Sequence, residues 1–244
     1  MKELNAILEQ FDSNRNVLKN EGLWNDRVVA DCFYPCAKEI LLGGCFLIDN
    51  KYVIDLGSIE LYYHEEEGEI KDYIMYHTNE HPSKSRVFTI EGGYPYFEFG
   101  SFNLHQSGID VTFENEEKKY RASFLIRSYR VLKKGESLND SQEPYDFCST
   151  HLFDDMFYGG ISEQSLSRIT WVSYDKGGNI IRCPRMNVAE YCINGENKIV
   201  KSVSTITDED YQRNKDRYIK VNGVYYKQDM RQWQFKRENI VEKK

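Results

Sequence analysis

The sequence has no long apolar run. No window approaches the eighteen or so consecutive apolar residues that a membrane-crossing helix needs, and the mean hydropathy is −0.66. Its first residues, Met1 to Asn5, hold neither the basic start nor the apolar stretch of an export signal. We therefore expect a cytoplasmic protein with no membrane partner. The six cysteines (Cys32, Cys36, Cys45, Cys148, Cys183, Cys192) form no C-x-x-C pair, so they read as reduced thiols and not as zinc knuckles. Cys32 and Cys36, four apart, could face one way on a helix, but no matching His or Cys pair lies near them. Walker-loop and serine-triad patterns are missing too, and no lysine stands out as a Schiff-base nucleophile. Any chemistry is expected to be hydrolytic and to need neither metal nor cofactor.

Basic excess is lacking as well. A net charge of −7 argues against a surface that tracks phosphate throughout, because nonspecific nucleic-acid affinity comes mainly from Lys and Arg. The charge is uneven, since residues 198–244 carry twelve Lys and Arg against seven Asp and Glu. That stretch reads either as a nucleic-acid face or as a solvated tail. The acidic run Glu65, Glu66, Glu67, Gly68, Glu69 reads as an exposed loop.

What is present is enough chain for one sizeable core: 244 residues, 40% hydrophobic. Leu4, Ile7, Leu8 and Phe11 recur at helical spacing, and Asp12, Ser13 and Asn14 are expected to end that helix. A second helix is predicted up to Leu42, stopped by Gly43 and Gly44. From Cys45 the pattern turns to strands. Residues 46–48 and 52–54 flank Asp49-Asn50 as a hairpin. Further strands are predicted over 58–64, 87–90, 94–99, 109–113, 122–132, near 169–174 and over 217–226. No period of 20 to 50 residues repeats. The expected fold is α+β, a single domain over 1–244 in which a curved, mostly antiparallel sheet with β-hairpins carries peripheral helices, the N-terminal helical segment covering about 1–43.

Several short matches in one order then resemble the 3-methyladenine (alkyladenine) DNA glycosylase family. Ala37 to Gly43 is similar to its opening helix ending in Leu-Leu-Gly, and Glu60-Leu61-Tyr62 to its catalytic Glu-Ala-Tyr. His77, with Asp72 ahead of it, resembles its pocket histidine. Gly93 to Gly100 resembles its Tyr-rich hairpin, and Phe124 to Arg127 its Leu-Ile-Arg strand. Cys183 to Val188 and Arg217 to Ile219 are weakly similar to its closing Pro-Arg and Arg-Phe segments. Two features depart: Gln106 stands near the expected asparagine, and residues 154–160 replace a Gly-Pro-Gly-Lys-Leu loop.

The resemblance implies a monofunctional glycosylase that flips a damaged, alkylated or deaminated purine out of double-stranded DNA and hydrolyses its N-glycosidic bond. Glu60 would be the general base, and Arg127 would hold a phosphate or order the attacking water. Alternation places Tyr62 on the same strand face as Glu60, ready to stack on the base. His77 would supply the opposing face, with Tyr96 and Gln106 as further base contacts. Phe99, expected at a hairpin tip, would be the wedge between base pairs. A monomer is expected. Two other readings stay open: a noncatalytic nucleic-acid or protein-binding module on the same fold, which suits the negative charge, and a hydrolase of modified nucleosides.

Overall fold

A computed structural model describes residues 1–75, 78, 80, 94–105, 108–147 and 168–243, with the side chains of 104 and 105 set aside. Helix α1 spans Lys2–Asn20, with Leu4, Leu8, Phe11 and Arg15 buried along one stripe. It does not end after Phe11 as expected. The intervals of four, three and four residues carry the buried stripe past Asp12, which accepts from the Tyr120 hydroxyl, and past the exposed Ser13 and Asn14, so local turn-formers are overridden by the face that continues at Arg15. Helix α2, Val29–Leu42, buries Phe33, Cys36, Ile40 and Leu41 among others and stops at Gly43.

Strand β1 (Gly44–Ile48) turns directly into β2 (Tyr52–Glu65). Asp49 and Asn50 both take positive φ, 48° and 59°, the geometry of a tight hairpin turn whose twist matches that of the strands. There follow β3 (Phe102–His105), β4 (Gly108–Thr112), β5 (Tyr120–Lys133), β6 (Asp146–Phe147), β7 (Ile169–Ser173) and β8 (Ile180–Cys183). The chain continues with β9 (Tyr191–Ile193), β10 (Ile199–Lys201), α3 (Asp208–Arg213), β11 (Tyr218–Val221), β12 (Val224–Lys227) and β13 (Gln234–Arg237). The main sheet runs β3-β4-β5-β2-β1-β7, and β13 joins β2 beyond the end of β1 while pairing with β8 on its other side. Its pairings are antiparallel, and it curls into a half-barrel, giving the α+β architecture expected. Two small hairpins, β9-β10 and β11-β12, stand apart from it.

One expected strand is missing. Residues 94–98 adopt no regular structure, because side chains take the hydrogen bonds that a ladder would supply. Arg121 donates to the carbonyls of Tyr94 and Pro95, and the Phe97 N–H donates to Glu114 Oε2. Pro95 itself has no N–H to offer. The strand expected over 87–90 lies outside the described residues.

Helices α1 and α2 cover one face of the sheet. Phe11 meets Phe33 at 5.9 Å, Tyr63 at 5.7 Å and Phe113 at 5.4 Å between ring centroids, all edge-on, and truncating such a residue to alanine costs about 3–5 kcal/mol. Which residues reach that core changes parity along the central β2/β5 pair. Ile54 and Leu56 face the core at one end; Ile59, Leu61 and Tyr63 face it at the other. The change comes from two slips in the register: Leu56 pairs with Tyr129, Ser58 with Ser128 and Ile59 with Ile126. Gly57 and Arg127 are thus left unpaired, one on each strand. A one-residue slip moves every later side chain to the opposite face, and here both strands slip, so their faces stay matched. Glycine fits at 57 because a Cβ there would lie 2.6 Å from Tyr145 Cδ1 and 2.7 Å from Ser128 Oγ.

Candidate functional site

The sheet face turned away from α1 and α2 is polar and largely buried. Cross-strand partners put Asn103, Asp110, Leu125, Glu60, Gln234 and Cys183 in one row across β3, β4, β5, β2, β13 and β8. Thr112, Ser123 and Tyr62 form the next row. Side chains directly opposite share a face, so these residues form one surface.

Glu60 lies in the middle of it, 1% exposed. Tyr62 donates its hydroxyl to Glu60 Oε2 at 3.1 Å, and the Met186 N–H donates to Oε1 at 3.4 Å. The unpaired position of Arg127 brings its Nε within 3.4 Å of the same Oε1, as expected of a bulge that re-aims a side chain beside a site. Its side chain stays 21% exposed. A carboxylate offers about four acceptor positions, so three neighbours leave room for a water. Burial, with the Glu60 carboxylate beside it, pushes the Tyr62 phenol well above its ordinary range. The phenol therefore remains a donor to Glu60.

Behind Tyr62 stands a buried charge network. The Arg185 guanidinium lies 4.6 Å from the Tyr62 ring centre. It is gripped by Asp72 at 2.6 and 3.0 Å and by Asp229 at 2.6 Å, and donates to Leu61 O at 3.3 Å. Arg231 joins both carboxylates and stacks 4.1 Å from Trp233. Burial opposes ionisation of Asp229, but Arg185 and Arg231 overcome it and hold its carboxyl far below the usual range. A cleft of about 560 Å³, lined by Asp26, Lys71, Tyr73, Tyr191, Met230 and Arg231 among others, opens beside Asp72 and Asp229.

A second buried centre occupies the same layer before the bulge. Asp55 accepts from Lys176 and Arg130 at 2.8 Å each, from Tyr145 at 2.5 Å and from Arg237 at 3.2 Å. It serves as a structural clasp between β2, β5 and the C-terminal strand.

Of the residues singled out in the sequence, Glu60, Tyr62 and Arg127 come together. Tyr96 does not join them: it lies under Arg121, whose guanidinium is 4.1 Å from its ring, in the row of His64 and Arg121 at the far end of the sheet. Phe99 is in a turn and not at a free hairpin tip. Its ring packs against the main core, and Gly100 beside it, φ 74°, is seated on Asn5 of α1. A wedge into duplex DNA would need that ring free, so the intercalating role is not supported by this placement. His77 and Gln106 lie outside the described residues. Sequence reasoning missed Asp229 and Arg231, the Asn103–Asp110 pair and Gln234. Long-range pairing sets Gln234 beside Glu60 and brings Asp110 and Asn103 into its row, and the Arg185 network gathers Asp229 and Arg231 behind Tyr62; no local pattern announces either.

Among the described residues no group of three or more His, Cys, Asp or Glu could hold a metal ion, and no helix is long and apolar enough to cross a membrane. No family model, no curated protein and no solved structure matches the chain.

Proposed function

We propose that the protein hydrolyses the N-glycosidic bond of a damaged purine, with Glu60 as the general base that activates water. The observation that carries this reading is the buried Glu60 carboxylate, oriented by Tyr62 and the Met186 N–H with the partly exposed Arg127 at its side. A fixed carboxylate with one open acceptor position suits the removal of a proton from water aimed at a sugar carbon. Arg127 would order that water or hold the adjoining phosphate, and Tyr62 would stack on the extruded base. The test is base release from duplex oligonucleotides carrying hypoxanthine, ethenoadenine or an alkylated purine, wild type beside Glu60→Gln. Release should fall by roughly 10²-fold or more in the variant, the usual contribution of a general base. Equal release by both proteins would remove Glu60 from the chemistry.

Two placements favour a second reading, hydrolysis of a modified nucleoside. Phe99 is held against the core, which takes away the duplex wedge, and Arg185 already covers Tyr62 from one side, so that a base could stack on its other face alone. Release from a free nucleoside with none from duplex would select it. Binding to nucleic acid with no release from either substrate would select the noncatalytic module.

A further inference from the structure

Directly across from Glu60 on the β13 side stands Gln234, and directly across from Gln234 in turn stands Cys183 of β8. Gln234 is 5% exposed. A side-chain amide brings an acceptor oxygen and two N–H donors, and here the oxygen alone is engaged. The Cys183 thiol donates to Gln234 Oε1 at 3.2 Å, whereas Nε2 makes no hydrogen bond among the described residues. Burial holds the thiol above its ordinary range, so it stays protonated and remains that donor. The bond sets the orientation of the amide: with Oε1 committed to β8, the Nε2 end is turned away from that strand.

Leaving an amide donor unmet in so enclosed a place is costly. Other atoms of this face share the condition, among them Arg127 Nε and Asn103 Nδ2, but their places differ. Asn103 is three strands from Glu60 along the row, and Arg127 already stands 3.4 Å from Glu60 Oε1. Gln234 is the immediate neighbour. Side chains directly opposite begin about 4.5–5.5 Å apart at Cβ, and one water joined by two hydrogen bonds of about 2.8 Å spans such a separation. Glu60 keeps an acceptor position beyond Tyr62, Met186 and Arg127, and Gln234 keeps its donors. A water between them gives one hydrogen bond to the carboxylate and takes one from the amide, which leaves the second lone pair of its oxygen free for attack.

We propose that Gln234 is a further catalytic residue, its Nε2 donating to the attacking water while Glu60 takes the water's proton, and that Cys183 is the positioning residue that keeps the amide turned this way. The assignment rests on Glu60 acting as general base in the function proposed above. In that step one water proton passes to Glu60 and the water oxygen bonds to the sugar carbon. The electron pair of the broken C–N bond leaves on the base nitrogen, which takes up a proton from solvent where the base was neutral. A water held from two sides is presented in one orientation, and the gain in rate comes from that.

The experiment measures base release from a hypoxanthine-bearing duplex and from free inosine, as kcat and KM, for the full chain and for its Gln234→Met, Cys183→Ala and Cys183→Ser variants. Methionine is close to glutamine in length and lacks the donor, and the thermal midpoint serves as the control on folding. In Gln234→Met, kcat should fall by about 10- to 100-fold with KM within about threefold, the pattern of an interaction made in the transition state. Cys183→Ala should lower kcat about fivefold, the worth of one neutral hydrogen bond, and Cys183→Ser, which keeps a donor, should restore it. If Gln234→Met lowers the midpoint, the Cys183 pair decides alone. An unchanged kcat in a folded Gln234→Met, a loss confined to KM, or a serine variant no better than the alanine one overturns the assignment. Comparison with Glu60→Gln separates this outcome from the hydrolytic reading. Release that depends on Glu60 and not on Gln234 defeats the Gln234 assignment alone, whereas no release by the wild type from either substrate defeats the hydrolysis and this assignment with it.

Discussion

Replacing Arg185 with alanine should be among the most destabilising single changes in the protein. The side chain is fully buried and makes bonds of 2.6 and 3.0 Å to Asp72, 2.6 Å to Asp229 and 3.3 Å to Leu61 O. It also lies 5.1 Å from the Trp233 ring centre and 4.6 Å from that of Tyr62. Its removal strands two buried carboxylates with Arg231 as their remaining shared cation. Breaking a buried pair from one side costs about 3–5 kcal/mol. With a urea m-value of about 2–3 kcal/mol/M, that is a midpoint lower by about 1–2 M. Urea titration followed by tryptophan fluorescence measures it. The acid limb carries a second signature. A carboxylate whose pKa is depressed on folding contributes stability that is present above its unfolded pKa, about 3.9, and is lost as pH falls through the folded value. In the wild type, Asp229 is held so low that this loss comes only in strong acid. Without Arg185 the loss should begin at higher pH, and adding Asp229→Asn should recover part of the deficit. A midpoint change corresponding to less than about 1 kcal/mol, against the cost expected of a broken buried pair, would refute the view that the network is held together by this guanidinium.

Other expectations concern the bulge, the clasp and the thiols. Gly57→Ala should destabilise by about 1–3 kcal/mol, the usual cost of overpacking, because its Cβ would press on Tyr145, Ser128 and Ile240; equilibrium unfolding reads it. Asp55→Asn should cost about 3–5 kcal/mol, since it leaves Lys176, Arg130 and Arg237 facing one another in the interior without their carboxylate, and it should flatten the wild-type loss of stability in acid. Burial pushes the thiols of Cys32 and Cys36 up to about 12 and that of Cys45 to about 11. Native protein at pH 8 should therefore be labelled at the exposed Cys192 long before these three, with denaturant abolishing the difference; mass spectrometry of the labelled peptides checks it.

Much of this architecture could be read locally. The alternation that puts Ile59, Leu61 and Tyr63 inward and Glu60 and Tyr62 on the other face is visible in the sequence, and so is the Asp49-Asn50 turn. Where the local reading failed, longer-range forces had won. Asp12 to Asn14 look like a helix stop, yet Arg15 continues the buried stripe under Tyr63 and Glu65. Tyr94 to Phe99 alternate like a strand, but the Arg121 guanidinium and the Glu114 carboxylate capture their backbone groups first. The proximity of Glu60 and Tyr62 follows from period two alone. That of Arg127 depends on the bulge, that of Arg185 on a contact across 124 residues of sequence, and the placing of Asp110 and Asn103 in the same row on the long-range β2–β5 pairing.

The paired slips at Gly57 and Arg127 also fix what counts as one unit of this site. Two buried centres, Asp55 before the slips and Glu60 after them, share a layer only because both strands change parity at the same level of the sheet. If β2 kept Gly57 but ran through it in plain alternation, Glu60 and Tyr62 would turn into the helices and Ile59 and Leu61 out, while β5 kept its old faces. If both strands kept these residues and ran straight, the match between them would be restored but that whole half of the sheet would be turned inside out. The smallest transferable piece of this site is therefore two strands with both irregularities included, and a relative in which either strand runs straight must be one residue shorter there to keep the same faces.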